Sequence, residues 1–65
     1  MIRLKVKEIA KAKGVSMGKL GRLADIDYNT VKRLFDDTRY SPTIDTLHRV
    51  AKALGVTVND LYEEV

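Results

Sequence analysis

Apolar residues recur along this chain at helical spacing, in short blocks closed by a polar or glycine position. Val6, Ile9 and Ala10 fall at i, i+3 and i+4 and predict a first helix over residues 5–13, stopped by Gly14. Ahead of it Ile2, Leu4 and Val6 alternate, which allows a short extended start. Ser16 opens a second helix as N-cap, with Val15 and Leu20 at the two positions of a hydrophobic staple. The device recurs downstream: Asp27 caps a third helix stapled by Ile26 and Val31. Thr57 caps a fifth stapled by Val56 and Leu61, with Asp60 at its third position. Between these, Ile44, Leu47, Val50, Ala51 and Leu54 form the buried stripe of a fourth helix, ended by Gly55, with Pro42 just upstream. The pattern predicts an all-α fold of five short helices. Its expected core is Val6, Ile9, Leu20, Leu23, Ile26, Val31, Leu34, Phe35, Ile44, Leu47, Val50, Leu54 and Leu61.

Residues 16–33 read as two short helices joined by a tight turn. The second presents Tyr28, Asn29, Lys32 and Arg33 on one outward face. That is the layout of a helix-turn-helix, whose second helix lies in the DNA major groove.

Charge sharpens this picture. The net charge is +3, but residues 1–35 carry nine basic and three acidic residues, a net of +6. Residues 36–65 carry three basic and six acidic, a net of −3. A basic half beside an acidic half points to a polyanionic partner, although a solvated surface of mixed charge also produces it. Sixty-five residues make one small domain, 1–65, with no room for a second domain or a large pocket. There is no cysteine, so disulfides and thiolate metal sites are excluded. His48 stands alone and fits a surface position better than a metal site. The pairs Asp36-Asp37 and Glu63-Glu64 are adjacent in sequence and do not share a helix face. With no nucleophile–base pair and no glycine-rich phosphate loop, neither an enzyme nor a cofactor nor a small-molecule substrate is expected. No apolar run approaches a membrane span, and the N-terminus lacks the apolar core of a signal peptide, so a cytoplasmic protein is expected.

The whole chain resembles the lambda-repressor-like helix-turn-helix family, of the Cro and xenobiotic-response-element types. Ser16, Leu20, Ile26, Thr30, Val31 and Pro42 carry the resemblance, with the tail TLHRVAKALGVTVNDLYEE matching the family's fourth and fifth helices. Several positions depart from the family pattern. Met17 stands where a phosphate-contacting Gln is frequent, Gly21 where Ala is usual, and Asp25 replaces the turn glycine. Many members pair an Arg in the first helix with a Glu ending the third; here those positions hold Ala10 and Phe35. An ion pair replaced by apolar packing leaves a fold intact, and the substitution predicts that Ala10 and Phe35 meet in the core.

Asn29 and Arg33 lie one helical turn apart, about 6 Å along the axis. Asn suits the adenine edge and Arg the guanine edge, each through two hydrogen bonds. The resemblance implies base contacts at Tyr28, Asn29 and Arg33. Lys32 and Thr30 suit backbone or peripheral contacts, and capping accounts for Asp27. The resemblance also implies that the loop after the third helix, with Arg39, Tyr40 and Ser41, runs along the DNA backbone. At the second helix Lys19 opposes the helix dipole, where Glu would complete a capping box with Ser16. A DNA phosphate held there by free N–H groups, Ser16 and Lys19 accounts for that choice.

The reading is therefore a sequence-specific double-stranded-DNA-binding domain, a small transcriptional regulator. The alternative is a protein-interaction module, since the family includes antitoxins; it requires an exposed apolar patch away from the third helix. A membrane-surface role is disfavoured, because the apolar face of the first helix is needed by the core. Along a fifth helix, Val58, Leu61, Tyr62 and Val65 would share a face. Leu61 is needed by the core, and Val58, Tyr62 and Val65 either cover the first helix or form a homodimer contact.

Overall fold

A computed structural model describes residues 1–37 and 39–65. The chain starts as strand β1 (Ile2–Leu4) and continues through helices α1 (Val6–Ala12), α2 (Met17–Ala24), α3 (Tyr28–Asp36) and α4 (Ile44–Leu54). A 3-10 turn at Val58–Leu61 leads into strand β2 (Tyr62–Glu64). The fold is mostly helical with a small sheet, so the expectation of an all-α five-helix domain is corrected: among the described residues four α-helices form, and the fifth predicted helix stops after one turn.

The start of that turn is as the sequence suggests. The Asp60 carboxylate accepts the Thr57 N–H at 3.0 Å, and the Asp60 N–H returns to the Thr57 carbonyl at 3.1 Å. What ends it is a better partner for the backbone beyond Leu61. The Lys5 N–H donates to the Leu61 carbonyl at 2.7 Å, and β2 then pairs antiparallel with β1, setting Ile2 opposite Glu64, Arg3 opposite Glu63 and Leu4 opposite Tyr62. Arg3 reaches across the pair to the Glu63 carboxylate and leans toward Glu8 at 3.7 Å. Val58, Tyr62 and Val65 therefore share no helical face. Val58 and Tyr62 are half-buried against the core, and Val65 is exposed at the chain end.

Val6, Leu20, Val31, Leu34, Val50 and Leu61 form the centre of the core, joined by Leu4, Ala10, Ala24, Phe35, Leu47, Ala51 and Leu54. Ala10 and Phe35 are both buried in this cluster, where α1 packs on α3. Two expected core residues are outside it: Leu23 is 53% exposed and Ile44 is 74% exposed. On α2 the inward line runs through Leu20 and Ala24, so Leu23 is turned to the rim beside Ala53 of α4. Ile44 is the first residue of α4, beyond the reach of the core that begins at Leu47. Ile9 and Ile26 are only half-buried.

Caps hold the helix ends. Ser16 accepts the Lys19 N–H at 3.2 Å, Asp27 accepts the Thr30 N–H at 3.2 Å, and Thr43 accepts the Thr46 N–H at 3.1 Å. At the far end of α4, Gly55 sits at φ +70°, the left-handed geometry that only glycine adopts without strain. The predicted staples fit this frame, with Val15, Ile26 and Val56 packed against the core.

Candidate nucleic-acid interface

The orientation of α3 is set by α2 and by the turn between them. A Cβ on Gly21 would lie 3.2 Å from the Ile26 carbonyl oxygen and 3.5 Å from a Val31 methyl, so glycine lets α2 sit close under the start of α3. Asp25 makes the turn in left-handed geometry, φ 56° and ψ 50°. Its carbonyl accepts a hydrogen bond from Arg49 of α4 at 3.0 Å. The same guanidinium pairs with Asp45 within α4 at 3.2 Å, so the bond to the Asp25 carbonyl ties α4 to the end of α2. Val31, Leu34 and Phe35 are buried, which leaves one outward face on α3.

Tyr28, Asn29, Lys32 and Arg33 all lie exposed on that face, with Tyr28 56% exposed at its start. Among the described residues none of the four side chains is in an ion pair, whereas Arg3 and Arg49 both are. The Arg33 guanidinium lies over the Tyr40 ring, 4.0 Å from its centroid. Thr30 is half-buried, and its hydroxyl donates to the Asp27 carboxylate at 2.6 Å. These two bonds from Thr30, hydroxyl first and N–H second, hold the Asp27 carboxyl below the usual aspartate value of 3.8. Asp27 is thus an ionised cap already engaged by its own helix.

Next to this face, Ser16 and Lys19 lie exposed at the start of α2, the Ser16 oxygen occupied by the Lys19 N–H. Arg39 is exposed, its backbone N–H bound to Asp37 at 3.1 Å and its guanidinium 3.3 Å from the Met1 sulfur. Ser41 is exposed, but Tyr40 is half-buried and packed on the core. Arg22 joins this surface without having been singled out by its sequence position. It is exposed on α2 and lines a shallow groove with Tyr28, one NH group lying 3.8 Å from where a Gly18 Cβ would stand. Helical spacing carries the signal for it: Arg22 lies one turn after Gly18, on the same side of α2.

A groove of about 440 Å³ runs between the terminal strands and the loop that carries Arg39, Tyr40 and Ser41, with Met1, Ile2 and Ile44 exposed along it. Among the described residues, no group of three or more His, Cys, Asp or Glu side chains is placed to hold a metal. No described helix is long and apolar enough to cross a membrane.

A sequence profile of the Cro/C1-type HTH DNA-binding domain matches residues 5–65. Comparison with curated proteins gave no match. Among solved structures, the crystal structure of a candidate DNA-binding protein from Bacteroides fragilis superposes with a TM-score of 0.83 at 24% identity. The match covers 97% of this chain and 100% of that one. At that identity the likeness is one of fold.

Proposed function

The chain belongs to the Cro/C1-type helix-turn-helix DNA-binding domain family, and from that premise we propose that it binds double-stranded DNA sequence-specifically as a small transcriptional regulator, with α3 in the major groove. The observation that carries this reading is the outward face of α3. Its polar and cationic side chains lie exposed and outside any ion pair among the described residues, on a helix whose other face is locked in the core. Asn29 and Arg33 read base edges, and Tyr28 meets a thymine methyl or a phosphate at the start of the helix. Lys32, Arg39, Ser41 and the Ser16–Lys19 end of α2 contact phosphates, which fix register without reading sequence. Thr30 has its hydroxyl proton engaged by Asp27, so it serves mainly to hold the start of α3.

Titrating labelled duplexes at two salt concentrations tests this. Binding that falls steeply with salt while a sequence preference remains supports it; salt-insensitive binding, or none, overturns it. Selection from a random duplex library then gives the operator. Against that operator, Asn29→Ala and Arg33→Ala each weaken binding by about 1–3 kcal/mol and relax preference at one base position. A uniform loss across all duplexes would make them phosphate contacts instead.

A second reading, protein association, is favoured by one observation: Met1, Ile2 and Ile44 leave large apolar side chains exposed along the groove between the terminal strands and the 39–42 loop. A second copy of the chain is the partner proposed, which on DNA would set two recognition helices about 34–36 Å apart. Sedimentation showing a dimer lost on Ile44→Lys supports it; monomer at high concentration overturns it.

A further inference from the structure

The family resemblance sets Tyr40 on the DNA backbone, yet its ring is half-buried on the core and lies under the Arg33 guanidinium. Two bonds tie Tyr40 and its neighbour to the end of α3: the Tyr40 N–H donates to the Asp37 carbonyl at 3.0 Å, and the Asp37 carboxylate accepts the Arg39 N–H at 3.1 Å. The neighbouring cation, Arg39, is turned aside to the Met1 sulfur. Arg33 is therefore held by an aromatic face anchored in the protein.

We propose that Tyr40 is a positioning residue for base readout: its ring is a platform that aims the Arg33 guanidinium at a guanine edge before DNA arrives. The inference rests on the reading of Arg33 as a base contact. A free arginine has many rotamers, and ordering it on binding costs affinity that a pre-placed side chain retains. A ring face holds the cation electrostatically and has no lone pair, so the guanidinium's N–H donors remain for the O6 and N7 acceptors of guanine. A carboxylate in the same place would hold Arg33 more firmly but would occupy those donors and repel DNA. The contribution of Tyr40 therefore falls on discrimination at one base pair, and the hydroxyl takes no part in it.

The test compares base-preference profiles, by competition among duplexes altered one position at a time, for the wild type, Arg33→Ala, Tyr40→Phe and Tyr40→Leu. Tyr40→Phe keeps the ring and should keep the wild-type profile. Tyr40→Leu should lose roughly two- to fivefold of discrimination, only at the position that Arg33→Ala flattens, with an unchanged salt slope. Equal losses in Tyr40→Phe and Tyr40→Leu across all duplexes would make the hydroxyl a phosphate contact and overturn the proposal. So would an unaltered Tyr40→Leu profile. If Arg33→Ala flattens no single position, base reading by Arg33 fails first and the platform with it. The wild-type protein gives an independent measurement in case Tyr40→Leu does not fold. The Tyr40 ring current should move the Arg33 side-chain proton resonances upfield in the free protein, and random-coil positions would overturn the proposal.

Discussion

Replacing Asp25 by glycine should stabilise this protein, although it removes a carboxylate beside Arg49. The residue ends α2 at φ 56° and ψ 50°. Left-handed geometry costs an ordinary L-residue about 1–2 kcal/mol, and Asp somewhat less. Glycine removes that strain but returns about 0.5 kcal/mol or more of freedom to the unfolded chain. What is lost is small. The carboxylate stands fully exposed and 4.0 Å from Arg49, the separation at which surface pairs contribute least. The stronger tie, from Arg49 to the Asp25 carbonyl at 3.0 Å, uses the backbone and survives the change. Removing a negative charge from the C-terminal end of α2 also relieves the helix dipole. The balance is a gain of about 0.5–1 kcal/mol, read as a rise of about 2–8 °C in Tm for a domain of this size. Asp25→Asn, which tolerates the same geometry, should change little, and Asp25→Ala should lower Tm. The reasoning is refuted if Asp25→Gly melts as low as Asp25→Ala, because the carboxylate and not the backbone angle would then be holding the turn.

Phe35→Ala should cost about 3–5 kcal/mol, since Phe35 is only 8% exposed at the packing of α3 on α1; a chemical denaturation curve unchanged in midpoint would contradict it. Lys19→Glu should leave the fold intact or slightly firmer, since it aligns with the dipole of α2. It should weaken binding to every duplex and flatten the salt dependence; unchanged affinity removes the phosphate from this helix end. Asp27 is held low by Thr30, and Asp60 by the Thr57 N–H first and its hydroxyl second. Folded carboxyls below their usual 3.8 contribute stability that is complete above that value and is lost as pH falls through the lowered one. Thermal melts taken down through about pH 4 to 2 should therefore show Tm falling, and Asp27→Asn should blunt the fall; an identical acid limb in that variant counts against the cap.

The helix starts were legible because caps and staples are local signals. Ser16 and Asp27 each needed only the next three or four residues to be recognised, and both accept the hydrogen bonds expected of them. The fifth helix misled for the complementary reason. Thr57 and Asp60 do begin a turn, but the path of the chain after Leu61 is decided by β1, some sixty residues away. The alternation of Ile2, Leu4 and Val6 allowed an extended start, but nothing local pointed to a pairing partner. Leu23 and Ile44 have helical spacing, yet which edge of a stripe turns inward depends on the crossing of α2 and α4, which no single helix encodes. At the candidate interface, exposure of Tyr28, Asn29, Lys32 and Arg33 followed from the burial of Val31, Leu34 and Phe35. The place of Tyr40 under Arg33 did not, because loop geometry leaves no period in the sequence.

The ribbon of β1 and β2 bears on the order in which the molecule comes apart. The helices meet through short connections, whereas this ribbon joins Arg3 to Glu63. Closing so long a loop is entropically unfavourable until the helices have already folded the chain back on itself. A two-stranded ribbon also has little stability of its own. It should therefore form late and open early, an event local enough to leave the packing of α2, α3 and α4 in place. Contacts made after the rate-limiting step govern how fast a protein unfolds, with little influence on how fast it folds. The lifetime of the native state should accordingly depend on the pairing of Arg3 with Glu63 at the two ends of the sequence, far along the chain from the helix that faces outward.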